Sequence, residues 1–279
     1  MALNDILKPP AIEAPIILLA GNPKVGKTSF ALNHLKALKP VIIPSEDLTG
    51  VFDMLPEEEV PMAFPKLSEP KPGRHFAPLD EMKKYINMLL KEDHPYQLLI
   101  IDTLSSLEPK LINGLCMDEG VRSIKAACGG YGRGYDVLVS YWQEILDLLL
   151  QLRSKKGMAI LLLCHAEPRK VRNSATEEEY ITNGLNLSPL TESLFLKNTD
   201  AIMFLRLKTM IRDSEQDKGG KTVKAGKAKT YADRQLITDA SAMVGYTVAG
   251  NRWGLESMYT IKPNDTTLQL TDLIPFYFD

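Results

Sequence analysis

The chain has 279 residues, long enough for one large domain or two small ones, and its 44% apolar and 24% charged residues are typical of a folded globular protein. The formal net charge of −2 excludes a protein coated with nucleic acid over its whole surface, so any such binding requires a local basic patch. The cysteines and histidines lack zinc-site spacing and no apolar run is long enough for a membrane span, so we expect a reduced, cytoplasmic protein.

After an arm at residues 1–14, the first pattern is an apolar strand at about 15–20, a glycine-bounded loop and a helix at about 26–38. The loop matches the P-loop pattern G-x-x-x-x-G-K-[ST], and all of its residues are predicted to bind nucleotide: Gly21, Asn22, Pro23, Lys24, Val25, Gly26, Lys27, Thr28 and Ser29. Its glycines permit backbone angles at which successive N–H groups point at an anion, and the helix N-terminus adds a positive dipole. Lys27 is expected to reach the β- and γ-phosphates of ATP, and the Thr28 hydroxyl to bind Mg²⁺.

Further apolar runs alternate with helical patterns along the chain. The runs lie at 41–44, 96–102, 159–164 and 199–207, and the helices at about 79–92, within 103–134 and at 135–156, with an irregular loop at 53–78. This alternation predicts an α/β fold with an open, mostly parallel sheet flanked by helices. Ligands of such sheets bind at the carboxyl ends of the strands, where the polar residues that follow the runs should gather.

Three polar residues follow these runs. Asp102 is predicted to hold Mg²⁺ together with Thr28, although a strand-end acid can also cap the next helix. Glu46 is suited to orient and deprotonate an attacking water, and the alternative is a neighbour of a helix N-cap. His165 either senses the γ-phosphate and passes hydrolysis to the following loop, or is simply hydrogen-bonded at a strand end.

Residues 206–234 carry nine basic against four acidic residues, a local charge of +5. Binding of a phosphate backbone and a solvated, flexible loop at 213–230 explain this equally well. A polar loop expected through about residue 188 carries a second basic group, Arg169, Lys170 and Arg172. A glycine-rich connector at 128–134 precedes the long helix.

The C-terminal third has weaker patterns. Short strands are expected at 235–238 and 246–249. Arg252 lies in a compact turn, either as a surface residue or as an arginine that reaches the γ-phosphate of a neighbouring subunit. Alternation around a Pro-Asn-Asp turn predicts a β-hairpin and tail at 258–279, appended to a core at 1–257.

The order of these motifs resembles the RecA-type ATPase core, through Gly21-x-x-x-x-Gly26-Lys27-Thr28, Ser45-Glu46 and Leu98-Leu-Ile-Ile-Asp102-Thr103. Later motifs are similar to those of phage-encoded minimal RecA-like proteins, AAA-domain nucleotide-binding proteins of the single-strand-annealing or recombinase type: Gly132-Arg-Gly-Tyr135, Ile160-Leu-Leu-Leu-Cys-His165, Asp200-Ala-Ile-Met-Phe204 and Ala249-Gly-Asn-Arg252-Trp-Gly254. The resemblance covers roughly residues 14–257.

This resemblance implies ATP hydrolysis with Mg²⁺, binding of single-stranded DNA and self-assembly into a ring or filament. It makes Glu46 the hydrolytic carboxylate and His165 the γ-phosphate sensor, and it has Arg252 act across the subunit boundary. The loops at 129–134 and 166–188 would face the DNA path. A phage-encoded protein of this kind would work in the cytoplasm of the bacterial host, with replication or recombination proteins as further partners.

Two other functions fit the same P-loop. A nucleotide-gated loader or adaptor would bind a replication partner such as a helicase, and it would draw on the acidic pI and the C-terminal hairpin. A small-molecule kinase ranks last, because such kinases usually need an Arg-rich lid whereas residues 213–230 are rich in Lys and Gly.

Overall fold

The structure is a computed structural model that describes residues 12–172, 179–212, 215–216, 222–224, 227–243 and 245–277. The helices are α1 (Lys27–His34), α2 (Thr49–Phe52), α3 (Ala77–Lys91), α4 (Leu104–Asp118), α5 (Arg133–Lys156) and α6 (Pro189–Asn198). The strands are β1 (Ile16–Gly21), β2 (Pro40–Pro44), β3 (Met62–Ala63), β4 (Leu98–Asp102), β5 (Ala159–Arg172), β6 (Glu179–Leu185), β7 (Ala201–Arg212), β8 (Glu215–Gln216), β9 (Thr222–Lys224), β10 (Lys227–Ile237), β11 (Gly250–Asn251) and β12 (Met258–Ile261).

Ten of these strands form one sheet in the order β12-β10-β7-β1-β5-β4-β2-β3, with β11 paired to β7 and β6 paired to β5. The central strands β7, β1, β5, β4, β2 and β3 are parallel. At one edge β10 pairs antiparallel with β7, and β12 pairs antiparallel with β10. This arrangement confirms the predicted α/β fold, a mostly parallel sheet flanked by helices. It also places the carboxyl ends of β1, β5, β4 and β2 side by side.

The apolar runs of the central strands are continuous because both faces of the sheet are covered. In β1, Ile16 and Leu18 pack on one face, and Ile17 and Leu19 pack on the other. The first face is covered by the long helices α3, α4, α5 and α6, and the second by α1 together with the C-terminal segment. Each strand residue is therefore buried whichever way it points, which explains why no polar alternation is visible in the sequence.

A buried acid ties together the amino ends of the central strands. Asp200 accepts a hydrogen bond from the Ile16 backbone N–H at 2.9 Å, and only 7% of its side chain is exposed. The same carboxylate pairs with Arg153 Nη2 at 3.3 Å and with Arg252 Nη1 at 3.0 Å. Two cations and one backbone donor thus compensate the cost of burying this charge.

The structure corrects the prediction of a polar loop from residue 166 to about 188. Strand β5 does not end at residue 164 but continues to Arg172, and β6 pairs with it antiparallel, from Ala166 against Leu185 to Arg172 against Glu179. This hairpin projects beyond the edge of the central sheet, where no core imposes an apolar pattern. Its backbone pairing therefore leaves little trace in the sequence.

The C-terminal predictions are wrong in two places. Residues 246–249 form a turn rather than a strand. The hairpin predicted within 258–279 does not form among the described residues, because β12 pairs with β10 instead of with its own continuation. The chain then forms short 3₁₀ turns that bury Leu270 and Ile274 in the second core, so this segment is part of the sheet domain and not an extension.

The predicted arm at 1–14 lies largely outside the described residues. Half of the predicted flexible loop at 213–230 also lies outside them, and its described residues belong to the strands β8, β9 and β10. Within the part of the chain that the structure describes, no helix is both long and apolar enough to cross a membrane.

Replacing Asp200 with alanine is expected to lower the free energy of unfolding by about 3 kcal/mol, because the Ile16 N–H loses its acceptor and Arg153 keeps only the half-exposed Glu13 as an anion. Urea denaturation measures this change. The control is Arg252→Ala, which removes a partner whose side chain is 65% exposed. Its cost should be at most about 1 kcal/mol. Equal losses in the two variants would contradict the assignment of Asp200 as the centre of the cluster.

Candidate functional site

The loop between β1 and α1 has the backbone geometry of an anion-binding nest. Lys24 and Gly26 adopt left-handed conformations, with φ of 63° and 93°. Such residues turn consecutive N–H groups toward one point. Gly26 is also the N-cap of α1 and forms no side-chain capping bond, so the first N–H groups of the helix remain available in the described structure. The loop can therefore receive a phosphate group.

The two glycines of the motif serve different physical needs. Gly26 has a positive φ, as the sequence predicts, but Gly21 lies in the regular strand β1. A Cβ atom on Gly21 would lie 2.5 Å from the Leu205 carbonyl oxygen of β7. Gly21 is thus required by the close approach of the neighbouring strand, which corrects the expectation that both glycines provide unusual backbone angles.

Lys27 is buried at the centre of the site. Its Nζ donates to the carbonyl oxygens of Gly21 at 3.0 Å and Asn22 at 3.2 Å, and it lies 2.9 Å from His165 Nδ1. Burial lowers the pKa of Lys27, and the nearby Asp102 carboxylate opposes this effect. Because an ammonium group can only donate, His165 Nδ1 is the acceptor. Burial and the Lys27 charge both lower the pKa of His165, which favours this neutral form.

Thr28 and Asp102 form the second element of the site. Thr28 Oγ1 donates to Asp102 Oδ2 at 2.6 Å, and Asp102 is only 1% exposed. Burial raises the pKa of Asp102 to about 6, and the Thr28 hydrogen bond acts in the opposite direction. The other carboxylate oxygen, Oδ1, is buried and has no hydrogen-bond partner in the described structure.

Glu46 is held by a serine of α4, and a second serine joins the ends of β2 and β4. Ser106, in the first turn of α4, donates to Glu46 Oε2 at 2.9 Å. Ser45 accepts from the Thr103 N–H at 2.8 Å and donates to the Thr103 carbonyl at 2.7 Å. These bonds hold the end of β2 against the end of β4, so that the Glu46 carboxylate stays beside Asp102.

These groups line one cavity of about 280 Å³ at the carboxyl ends of the central strands: Gly26, Lys27, Thr28, Ser29, Glu46, Asp102 and His165. A larger cavity of about 630 Å³ lies on the other side of the P-loop, lined by Pro23, Lys24, Arg206 and Tyr246 among others. The smaller cavity contains the buried cation, the unpaired carboxylate oxygen and the helix N-terminus. Its chemistry, and not its size, makes it the candidate site.

The residues present fit an Mg²⁺–nucleotide complex. The described residues contain no group of three or more His, Cys, Asp or Glu side chains that would hold a metal by themselves. Mg²⁺ is usually held through one or two protein oxygens, with phosphates and waters as its other ligands. Asp102 Oδ1 and the Thr28 hydroxyl are the two oxygens that this arrangement offers.

Arg252 is not part of this cavity. Its backbone N–H donates to the Asp200 carbonyl at 3.2 Å, and its side chain pairs with the Asp200 carboxylate. That position is at the amino end of β1. The P-loop begins at the other end of this strand, about 16 Å away, because each strand residue advances the chain by ~3.3 Å. Arg252 thus does not reach the nucleotide site of its own chain, and a role at the site of a neighbouring subunit stays a prediction.

Sequence reasoning missed three residues that hold the site. Ser106 binds Glu46, and Ser105 accepts a hydrogen bond from the His165 N–H at 2.9 Å. The position of both serines in the first turn after an acid-bearing strand was a usable signal. Arg234, which the sequence grouped with the basic residues 206–234, donates through Nε to the Val25 carbonyl at 2.8 Å. No sequence pattern indicates that contact.

A family model described as an AAA domain matches residues 13–239, most of the chain. The chain belongs to this AAA domain family. The match includes the P-loop, Glu46, Asp102 and His165, and it ends before Arg252. The chain therefore carries a nucleotide-binding P-loop ATPase domain.

The AAA domain is also similar to a solved structure, the crystal structure of the RadB recombinase. The two chains share 13% sequence identity with a TM-score of 0.44, and the match covers 89% of this chain and 87% of that chain. Among proteins of curated function, none matches the sequence at a significant level.

Lys27→Ala is expected to weaken ATP binding by about 100-fold, because the buried ammonium is lost. Glu46→Gln should bind ATP within about twofold of wild type but turn it over about 100-fold more slowly, because an amide cannot take a proton. Isothermal titration and a phosphate-release assay separate these effects. Lys36→Ala, an exposed lysine beyond the end of α1, is the control. Equal loss of binding and turnover in both site variants would contradict the separate roles.

Thr28→Val is expected to remove the part of nucleotide affinity that depends on Mg²⁺, because it deletes the hydroxyl beside Asp102 and keeps the side-chain shape. ADP affinity measured in EDTA should match wild type, whereas the gain on adding Mg²⁺ should fall about tenfold. Thr28→Ser retains the hydroxyl and should restore the gain. A Thr28→Val protein with a normal Mg²⁺ response would show that the hydroxyl does not hold the metal.

Proposed function

We propose that this protein hydrolyses ATP with Mg²⁺ and acts on single-stranded DNA, in recombination, annealing or replication. The observation that supports the proposal best is the convergence of Lys27, Thr28–Asp102, Glu46 and His165 in one cavity, from which β5 continues directly into an exposed hairpin. A phosphate-binding cavity is thereby joined by continuous backbone to a surface outside the sheet.

The chain's own residues supply a complete set of roles for hydrolysis. The nest and Lys27 bind the phosphates, and Glu46 is positioned by Ser106 to orient a water and accept its proton. The water oxygen attacks the γ-phosphorus, and the bond to the β-phosphate oxygen breaks to leave ADP. Mg²⁺ held by Thr28 and Asp102 would neutralise negative charge on the phosphate oxygens.

His165 is suited to report the state of the γ-phosphate. In the described structure its Nδ1 accepts a hydrogen bond from Lys27. A γ-phosphate competes for the same ammonium, and charge-assisted bonds to phosphate are stronger than bonds to a neutral ring. ATP binding should therefore release His165. Its own backbone is part of β5, and its carbonyl accepts from the Asn186 N–H at 2.8 Å, just after β6.

The hairpin and the glycine-rich connector lie on the same side of the molecule. Helix α5 has 24 residues and is about 36 Å long. It ends at Lys156, whose Nζ donates to the Glu92 carbonyl at the amino ends of the strands. Its first turn, and the connector 128–134 before it, must therefore extend past the carboxyl ends. The connector carries Tyr131, whose exposure is 99%.

These two segments present the chemistry of a single-strand binding surface. Tyr131 is an aromatic ring available for stacking, and Lys170 is exposed on β5. Val171 and Ile181 on the two hairpin strands are also exposed, at 37% and 61%. Arg169 does not belong to this surface, because it pairs with Glu167 and Glu192 and donates to the Leu187 carbonyl at 3.0 Å.

The loader or adaptor alternative loses its main support. It was based on a C-terminal hairpin free to bind a partner, whereas β12 is paired within the sheet and Leu270 is buried. Assembly into a ring or filament remains part of the proposal, because Arg252 lies too far from the site of its own chain and would have to act on the nucleotide of another subunit. A replication or recombination partner protein remains a further proposal.

The test is the rate of ATP hydrolysis with and without single-stranded DNA, at low and high protein concentration, together with oligonucleotide binding. We expect stimulation by DNA that grows with protein concentration. Tyr131→Ala should weaken oligonucleotide binding about tenfold, and Tyr131→Phe, which keeps the ring, should not. Lys170→Gln should weaken binding and reduce its salt dependence, whereas Lys155→Gln at the far end of α5 should leave it unchanged. Hydrolysis indifferent to DNA, with no oligonucleotide binding at low salt, would refute the DNA-binding part.

A further inference from the structure

Arg234 lies in an unexpected place for a residue of the basic segment 206–234. It is on β10, paired in register with Leu207 of β7 and Ile261 of β12. The pairing of β10 with β7 is irregular between Thr230 and Arg234. After this irregularity the half-buried Arg234 side chain turns to the P-loop, 209 residues away in the sequence, and not to the outer surface.

The contact is made to the peptide group between Val25 and Gly26. Arg234 Nε donates to the Val25 carbonyl oxygen at 2.8 Å. A Cβ atom on Gly26 would lie 2.9 Å from Arg234 Nη2 and 3.2 Å from Nε. The absence of a side chain at Gly26 therefore makes room for the guanidinium as well as permitting the positive φ of the nest.

A cation on this carbonyl affects the other end of the same peptide group. The guanidinium draws electron density toward the Val25 oxygen and makes the Gly26 N–H a stronger donor, as hydrogen bonds in a chain polarise one another. The hydrogen bond also restrains the orientation of this peptide group. Both effects favour the loop conformation in which the N–H groups point inward at phosphate.

We propose that Arg234 is a positioning residue for the nucleotide, acting through the Val25–Gly26 peptide of the P-loop, and not a DNA-binding member of the basic segment. This inference rests on the proposed ATPase function. It assigns to Arg234 a contribution to phosphate affinity with no direct contact to the phosphates, and it separates Arg234 from Lys208 and Lys229, whose ammonium groups lie over the Tyr231 ring.

The test compares Arg234→Gln, Arg234→Lys and a matched control, Lys262→Gln. Lys262 is an exposed cation next to Ile261, the register partner of Arg234 on β12, so its replacement removes the same charge from the same edge of the sheet. ADP and ATP affinities are measured by titration, kcat and KM by steady-state hydrolysis, oligonucleotide affinity by anisotropy, and the melting temperature without nucleotide by calorimetry.

We expect Arg234→Gln to weaken ADP and ATP binding about tenfold and to raise KM by a similar factor, with kcat and oligonucleotide affinity within about twofold of wild type. Arg234→Lys should recover part of the affinity, since it retains a cation and a donor. A glutamine variant that binds nucleotide normally would overturn the inference. A loss of nucleotide affinity equal to that of Lys262→Gln, or a loss of DNA affinity alone, would also overturn it. The same holds if both Arg234 variants have a lower melting temperature while Arg234→Lys binds nucleotide normally. If the wild-type protein binds no nucleotide, the proposed ATPase function fails instead.

Discussion

The site depends on one buried positive charge, the Lys27 ammonium, which is held by two backbone carbonyls and a neutral histidine. Removing an ammonium group from water is costly unless acceptors or anions surround it. Here the acceptors are all neutral, and the nearest carboxylates, Asp102 and Glu46, act only through space. A triphosphate entering this cavity would supply the missing anion. The resting arrangement is therefore one that favours phosphate binding before any nucleotide arrives.

The two ends of the sheet have opposite electrostatic character. At the amino ends, Asp200 meets a backbone donor and two arginines, so that its charge is compensated within the chain. At the carboxyl ends, Asp102 Oδ1 has no partner in the described structure and the α1 N-terminus has no side-chain cap. Uncompensated groups of this kind are costly to keep in a folded protein. A ligand that supplies the missing partners offsets this cost.

Strand β10 links the site to the part of the sheet beyond the P-loop. Arg234 contacts the P-loop from this strand, while the far end of β10 pairs with β7 out to Lys227 against Arg212. On the other side of the cavity, His165 begins the projecting part of β5. The P-loop is thus contacted from both sides by strands that extend beyond the sheet. Direct hydrogen bonds therefore join each of these strands to the P-loop, from His165 on β5 and from Arg234 on β10.

The sequence by itself determined the α/β class, the P-loop and the position of Glu46, Asp102 and His165 after apolar runs, because each depends on a local pattern of a few residues. Only the tertiary structure decided that His165 meets Lys27 across 138 residues and that Arg234 meets Val25 across 209. It also showed that Arg252 lies at the opposite end of the sheet from the site and that β12 pairs within the sheet. Strand order and register arise from packing between distant segments, so they leave no local pattern in the sequence. Strands that pair outside the core need no apolar periodicity, so they leave no local pattern either.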